Sequence, residues 1–193
     1  MIRIVVVDDH PAVRAGLVAV LRSEPGLVPV DAVATPDEAL TATEQHQADV
    51  ALVDYHLQES DGLVLCRRLK SLRPPPGVLV YSAFAEKGLA IPAIIAGADA
   101  LVDKGTPTDM LFEAIRAVAR GATAMPTLTP ELMAATAARL DTADLPILGM
   151  LIDGTPPPEI ARVLRFEAAE LEGRLTEMLE RLKLRPAPVG GTH

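Results

Sequence analysis

Asp8, Asp9, Asp54, Ser82 and Lys104 are the residues whose types and spacing could do chemistry together. Each follows a short run of apolar, mostly β-branched residues, and in an open α/β sheet functional groups collect beyond the carboxyl ends of the strands. Three carboxylates brought together repel one another unless a cation lies among them, and a hard divalent ion with oxygen ligands, Mg²⁺ above all, meets that need. One carboxylate can then act as a nucleophile toward a phosphoryl group. The Lys104 ammonium and the Ser82 hydroxyl would neutralise and orient the oxygens of that group. Taken singly, these residues have plainer readings. An Asp after a strand is more often a helix cap than a ligand; a lone Lys is usually solvated, and a lone Ser is a turn residue. Their joint order along the chain is what favours the chemical reading.

The elements that must position these residues follow from the hydrophobic pattern. Ile2, Ile4, Val5, Val6 and Val7 form a short continuous apolar run, as expected for a strand buried on both faces. After Asp8-Asp9-His10-Pro11 comes a helical pattern with Val13, Leu17, Val20 and Leu21 on one face, ended by Pro25-Gly26. The cycle repeats with a strand over 28–34 and a helix opened by Thr35-Pro36-Asp37-Glu38, running to about Gln45. A strand over 50–53 ends at Asp54. A helix over about 63–72 follows, broken by Pro74-Pro75-Pro76-Gly77. Then come a strand over 78–82, a helix over about 85–96, a short strand at Leu101-Val102 and a helix over 110–120. Strands alternating with helices at this spacing predict an α/β fold with a doubly wound, five-stranded parallel sheet. The first turn carries no Gly-rich loop, which excludes a nucleotide-binding Rossmann domain.

Beyond Gly121 no strand pattern recurs, and helices alternate with Pro-rich joints. The expected organisation is a first domain over 1–122, a linker helix within 123–140 opened by Thr129-Pro130-Glu131, a small all-helical domain over 141–185, and a flexible tail over 186–193. The chain has 193 residues, 49% of them hydrophobic, enough for a sizeable core. Its net charge of −8 argues against a broad electrostatic grip on nucleic acid or anionic lipid. The single cysteine, Cys66, cannot form an intrachain disulfide and points to a reducing cytoplasm. It reads as a packed thiol. No apolar run approaches the roughly 20 residues that span a bilayer, and the first residues do not resemble a signal peptide; a secreted or membrane protein is not expected. His10, His46, His56 and His193 show no metal-ligand spacing and read as surface or turn residues.

Residues 7–17, Val-Asp-Asp-His-Pro-Ala-Val-Arg-Ala-Gly-Leu, resemble the opening of receiver domains in two-component response regulators of the NarL/LuxR type. Asp54 to Gly62, Tyr81-Ser82-Ala83, Gly97-Ala98-Asp99-Ala100 and Lys104-Gly105 fit the same family in order, over the first 120 or so residues. The resemblance implies a flavodoxin-like receiver in which Asp54 accepts phosphate from the phosphohistidine of a histidine kinase. It further implies that Asp8, Asp9, Asp54 and the backbone carbonyl of His56 hold Mg²⁺, and that Ser82 and Lys104 sense the phosphoryl group. Two positions depart from the pattern. Leu57-Gln58 replaces a Met-Pro pair, which loosens that loop without removing a ligand. Leu101 stands at the switch position, where the family has Tyr or Phe. Leu cannot make the aromatic's ring or polar-tip contacts, so phosphorylation is expected to proceed while the conformational response is altered.

Residues 145–184 resemble the helix-turn-helix output domain of the same family, with Ile147-Leu148, Gly154, Glu159-Ile160-Ala161, Leu164, Leu171, Leu175 and Leu182 at core positions. Pro146 stands where a Glu is usual. The DNA-reading face differs most: the family carries Ser, Thr and Lys where this chain has Glu167, Glu170, Glu172 and Arg174, followed by Glu177 and Glu180. Exchanging Lys or Thr for Glu removes a phosphate contact and adds a repulsion, costing on the order of 1 kcal/mol each. Arg162, Arg165, Lys183 and Arg185 remain as basic residues that could meet DNA. The Pro- and Gly-rich stretch after 185 is not expected to form the family's fourth, dimerising helix.

Two readings follow. One is a phosphorylation-controlled transcription regulator that contacts DNA. The other is a signalling adaptor whose acidic C-terminal helices bind protein and not DNA; the stripe of Leu171, Leu175, Met178, Leu179 and Leu182 is most simply core. An enzyme is not expected beyond self-phosphorylation, since an aspartyl-phosphate phosphatase would need an Asp-x-Asp pair after the first strand.

Overall fold

The structure, a computed structural model, describes residues 1–58, 60–83 and 88–183. The first elements in chain order are β1 (Ile2–Val7), α1 (Pro11–Ser23), β2 (Leu27–Val33), α2 (Pro36–His46), β3 (Val50–Asp54), β4 (His56–Leu57), β5 (Ser60–Asp61) and α3 (Gly62–Lys70). Then follow β6 (Gly77–Ser82), α4 (Ala90–Ile95), β7 (Ala100–Asp103) and α5 (Thr108–Ala119). The chain divides into two compact units, Met1–Leu128 and Thr129–His193.

Five parallel strands lie in the order β2-β1-β3-β6-β7. This is the doubly wound, flavodoxin-like sheet, with its switch point between β1 and β3, where strand order reverses. β3 is buried along its whole length and β1 from Ile4 onward, as unbroken Val/Ile/Leu runs require when helices cover both faces. Pro29 lies in β2, at the sheet edge, where a missing N–H is tolerated. The β1–β2 register shifts between Ile4 and Val5 beside it.

Strand alternation decides which side chains reach the site. Ile4 and Val6, Val50 and Leu52, and Ala100 and Val102 all enter one core cluster with Leu17 and Leu21 of α1 and Leu111, Ile115 and Val118 of α5. Continuing each strand by two residues along the same alternation gives Asp8, Asp54 and Lys104. The strands that bury this stripe therefore also aim two carboxylates and one ammonium past the sheet's carboxyl edge. Ser82 continues the opposite alternation, after Val78 and Val80.

Two local features differ from the sequence expectation. The loop after Asp54 is drawn into a small antiparallel pair, β4 with β5, in which His56 faces Asp61 and Leu57 faces Ser60. α4 begins at Ala90, and residues 85–87 of the expected helix lie outside the described residues. Gly88 at φ +84° takes a left-handed conformation that a right-handed helix cannot pass through. Pro92 then falls within the first turn, where its missing N–H costs no helical bond.

The second unit holds α6 (Pro130–Ala137), a 3₁₀ turn (Thr142–Asp144), α7 (Leu145–Ile152), α8 (Pro157–Leu164) and α9 (Ala168–Leu182). Thr129 caps α6 by accepting from the Leu132 N–H at 3.2 Å. α8 ends at Arg165, in a left-handed conformation, and α9 starts three residues later, a helix-turn-helix arrangement. Leu171, Leu175, Met178, Leu179 and Leu182 are all buried, together with Ile147, Leu148 and Ile160. The stripe on α9 is core. The expected tail 186–193 and Arg185 lie outside the described residues.

Gly62, the first residue of α3, rests against the backbone of the β3 end. A Cβ there would lie 2.2 Å from the Asp54 carbonyl oxygen and 3.0 Å from the Tyr55 Cα. Gly62→Ala is expected to destabilise the first unit by about 2 kcal/mol, because backbone must move to admit the methyl group. Gly16→Ala, on α1 with nothing within 4 Å, is expected to stabilise it by about 0.5–1 kcal/mol. Urea unfolding followed through the slowly exchanging amides of the sheet measures both.

Candidate functional site

Lys104 follows β7 and is tied to β6 by its backbone N–H, which donates to the Ser82 carbonyl at 2.9 Å. Its ammonium lies between two carboxylates, 2.9 Å from Asp8 Oδ2 and 2.8 Å from Asp54 Oδ2. The remaining oxygen of each acid accepts from a main-chain N–H two residues on. His10 donates to Asp8 Oδ1 at 2.8 Å and His56 to Asp54 Oδ1 at 3.4 Å. Asp8 and Asp54 are buried, at 1% and 5% exposure, and Ser82 is fully enclosed on the strand beside Asp54. Asp9 stands at the rim, its side chain 10% exposed.

Burial pushes the Asp54 carboxyl above the ordinary Asp range; the Lys104 hydrogen bond and charge oppose this, and the Asp8 charge adds to it. A raised proton affinity also makes the carboxylate a better nucleophile. Burial disfavours the Lys104 charge, but hydrogen bonds to Asp54 and Asp8 outweigh it and hold the ammonium above its usual value. Lys104 is therefore charged throughout the neutral range.

One phenol flanks this group, and a second follows Asp54 in the chain. The Tyr81 hydroxyl contacts the Lys104 carbonyl at 3.4 Å, and its ring centroid lies 5.7 Å from Lys104 Nζ. Tyr55, next to Asp54, is buried and meets the His56 ring edge-on at 4.6 Å. Burial pushes its hydroxyl up to about 12.

The residues singled out from the sequence converge here: Asp8, Asp9, Asp54, Ser82 and Lys104 stand at the carboxyl ends of β1, β3, β6 and β7. Three carboxylates against one ammonium leave two formal negative charges in a buried pocket, the balance a divalent cation would complete. Asp9 Oδ1 is enclosed at the rim of the pocket, with the His10 imidazole beside it. The donor set fits Mg²⁺. Leu101 is buried on β7, paired with Val80, with its N–H directed to the Ala124 carbonyl at 3.2 Å. His10 was not expected in this group. Its Nδ1 lies 2.7 Å from Asp9 Oδ1 and 3.5 Å from Asp8 Oδ1, and only its adjacency to the acid pair could have signalled it.

A family model described as the response regulator receiver domain matches residues 4–116. The chain belongs to the response regulator receiver family. It is 33% identical over 121 residues to the DNA-binding transcriptional activator DevR/DosR of Mycobacterium tuberculosis, an alignment covering 63% of this chain and 56% of that protein. It is 26% identical to the oxygen regulatory protein NreC of Staphylococcus carnosus, across 96% of this chain and 93% of the relative. Among solved structures, a LuxR-family two-component response regulator from Aurantimonas sp. SI85-9A1 superposes with a TM-score of 0.60 at 27% identity, covering 68% of this chain and 92% of that one. This receiver is thus of the NarL/LuxR kind.

In the helical unit, Glu167, Glu170 and Glu172 are exposed at the start of α9. Arg174 is turned inward. Its guanidinium is 3.0 Å from Asp144 Oδ1, a carboxylate only 2% exposed, 3.7 Å from Glu170 Oε1, and 4.8 Å from the centroid of the Phe166 ring.

Removing the ammonium tests the electrostatics of the receiver site. Lys104→Met leaves Asp8 and Asp54 buried with no counter-charge, and breaking such a pair by removing one partner strongly destabilises. The variant is expected to lose about 2 kcal/mol near neutral pH, less than for a fully buried pair because the Lys104 side chain is 22% exposed. The sign of the pH effect follows from Asp54. Its folded-state proton affinity exceeds the unfolded one, so its stabilising effect is present at low pH and lost as pH rises through the raised folded value. Without Lys104 that value rises further. The gap in melting temperature between variant and wild type should therefore narrow on acidification toward about pH 5, read by calorimetry.

Proposed function

We propose that this chain is a two-component response regulator that accepts a phosphoryl group on Asp54 from the phosphohistidine of a histidine kinase. The observation that carries the reading is the Lys104 ammonium held between Asp54 and Asp8. An Asp54 oxygen attacks phosphorus, the P–N bond to the kinase imidazole breaks, and the leaving nitrogen regains its lone pair. Lys104 Nζ, already 2.8 Å from the attacking carboxylate, is in reach of a phosphoryl oxygen, and Ser82 on the neighbouring strand supplies a hydroxyl. Asp8, Asp9, Asp54 and the His56 carbonyl would hold Mg²⁺, which supplies positive charge for the transferred oxygens. The reaction ends on the protein's own aspartate, with no released product besides the donor. The organisation proposed is a receiver over 1–122, a linker over 123–140 and an output domain over 141–185, acting in the cytoplasm.

For the output domain, the relatives support transcription regulation; DevR/DosR is named for DNA binding. A second reading, an adaptor that binds protein, is favoured by Arg174. The basic residue on the DNA-reading stretch of α9 is engaged with Asp144 and Phe166, and the residues around it are acids. Phosphate neutralisation supplies most of the affinity of such domains, and this face offers little.

Incubation with Mg²⁺ and acetyl phosphate is expected to add one phosphoryl group by intact-mass measurement, released by hydroxylamine as an acyl phosphate is, and Asp54→Ala is expected to add none. Modification that persists in Asp54→Ala overturns the reading. For the output, Arg174→Ala strands the Asp144 carboxylate and should cost about 2 kcal/mol of stability in the helical unit. Duplex-DNA binding at low ionic strength separates the two readings. A steep loss with added salt supports the regulator, whereas binding that is undetectable in the phosphorylated form supports the adaptor.

A further inference from the structure

We propose that Tyr81 is a positioning residue for phosphoryl transfer: its ring steadies the Lys104 ammonium, and its hydroxyl fixes the backbone from which that lysine reaches. The inference rests on the transfer to Asp54 and adds a residue that sets the rate of that step. β6 lies between β3 and β7, so the Lys104 side chain, leaving the end of β7, must cross β6 to lie 2.8 Å from Asp54 Oδ2. Tyr81 is the β6 residue beneath that crossing. It is paired with Asp54 on one side and with Val102 on the other, and it packs against the core stripe that holds Leu52 and Val102. Asp54 and Lys104 continue those same two alternations.

Tyr81 meets the lysine at both ends. Its ring centroid is 5.7 Å from Nζ, within the range where the negative face of an aromatic ring attracts an ammonium. Its hydroxyl donates to the Lys104 carbonyl at 3.4 Å. The Tyr81 carbonyl in turn accepts from the N–H of Tyr55, directly after Asp54, at 3.4 Å. The need for such a hold arises when Asp54 becomes an acyl phosphate. Its negative charge passes to the phosphoryl oxygens, and the ammonium must leave Oδ2 to meet one of them. Asp8 keeps its full charge, 2.9 Å from Nζ, and draws the ammonium toward β1. Attraction to the fixed ring on β6 opposes that drift and keeps Nζ beside Asp54. Leu101 cannot serve in this way, since it pairs with Val80, lies on the opposite alternation and has no ring.

Phosphoryl uptake by the full chain from acetyl phosphate and Mg²⁺, timed by intact mass, provides the test. Tyr81→Leu is expected to slow uptake about fivefold, and Tyr81→Phe, which keeps the ring, to stay within about twofold of wild type. The chain has four lysines, so selective lysine labelling gives four sets of ε-methylene proton signals. The ring current is expected to hold the Lys104 set upfield of the others in wild type and in Tyr81→Phe, and the set should rejoin them in Tyr81→Leu. The wild-type signal decides even if Tyr81→Leu does not fold. Uptake by Tyr81→Leu at the wild-type rate, Tyr81→Phe as slow as Tyr81→Leu, or Lys104 signals at the ordinary position in wild type overturns the inference and leaves Asp54 standing as the acceptor. A wild-type chain that takes up no phosphoryl group overturns the acceptor reading and this inference with it.

Discussion

The ammonium of Lys104 between two enclosed carboxylates is the constraint around which the receiver is arranged. Asp8 and Asp54 are nearly sealed from water, where an unpaired charge is costly. Each is held by the lysine on one oxygen and by a main-chain N–H on the other. That full occupancy keeps two like charges at close range without collapse of the sheet edge. It also holds Asp54 in a setting where burial strengthens its hold on a proton. The same placement that makes the group electrostatically expensive makes it chemically apt.

Much of the scaffold was readable from residue patterns because the alternation that buries Ile4, Val6, Val50, Leu52, Ala100 and Val102 continues into the site. A reader who places the strands has already placed Asp8, Asp54 and Lys104. What could not be read involves contacts that no period encodes. The pairing of β4 with β5 depends on two dipeptides, His56-Leu57 and Ser60-Asp61. The left-handed turn at Gly88, just before α4, depends on a single glycine's conformation. His10 carries no spacing signal because its partners, Asp8 and Asp9, are its immediate neighbours. Arg174 looked like a surface base because its partner Asp144 belongs to a 3₁₀ turn 30 positions earlier.

The helical unit shows the same separation of scaffold from surface. Its core is complete, with Ile147, Leu148, Ile160, Leu171, Leu175 and Met178 enclosed. The face that would meet a nucleic acid carries Glu167, Glu170 and Glu172 instead of bases. Folding constrains the first set and not the second, so a helix-turn-helix arrangement can persist while its external chemistry changes.

The two tyrosines carry a consequence for how this protein can be observed. The chain has no tryptophan and two tyrosines in all. One adjoins Asp54, and the other reaches the carbonyl of Lys104. Its intrinsic ultraviolet emission therefore arises almost wholly from a ring against Lys104 and a ring next to Asp54 in the chain. Without any attached dye, the brightness of that emission depends on how strongly the groups around these two rings quench them.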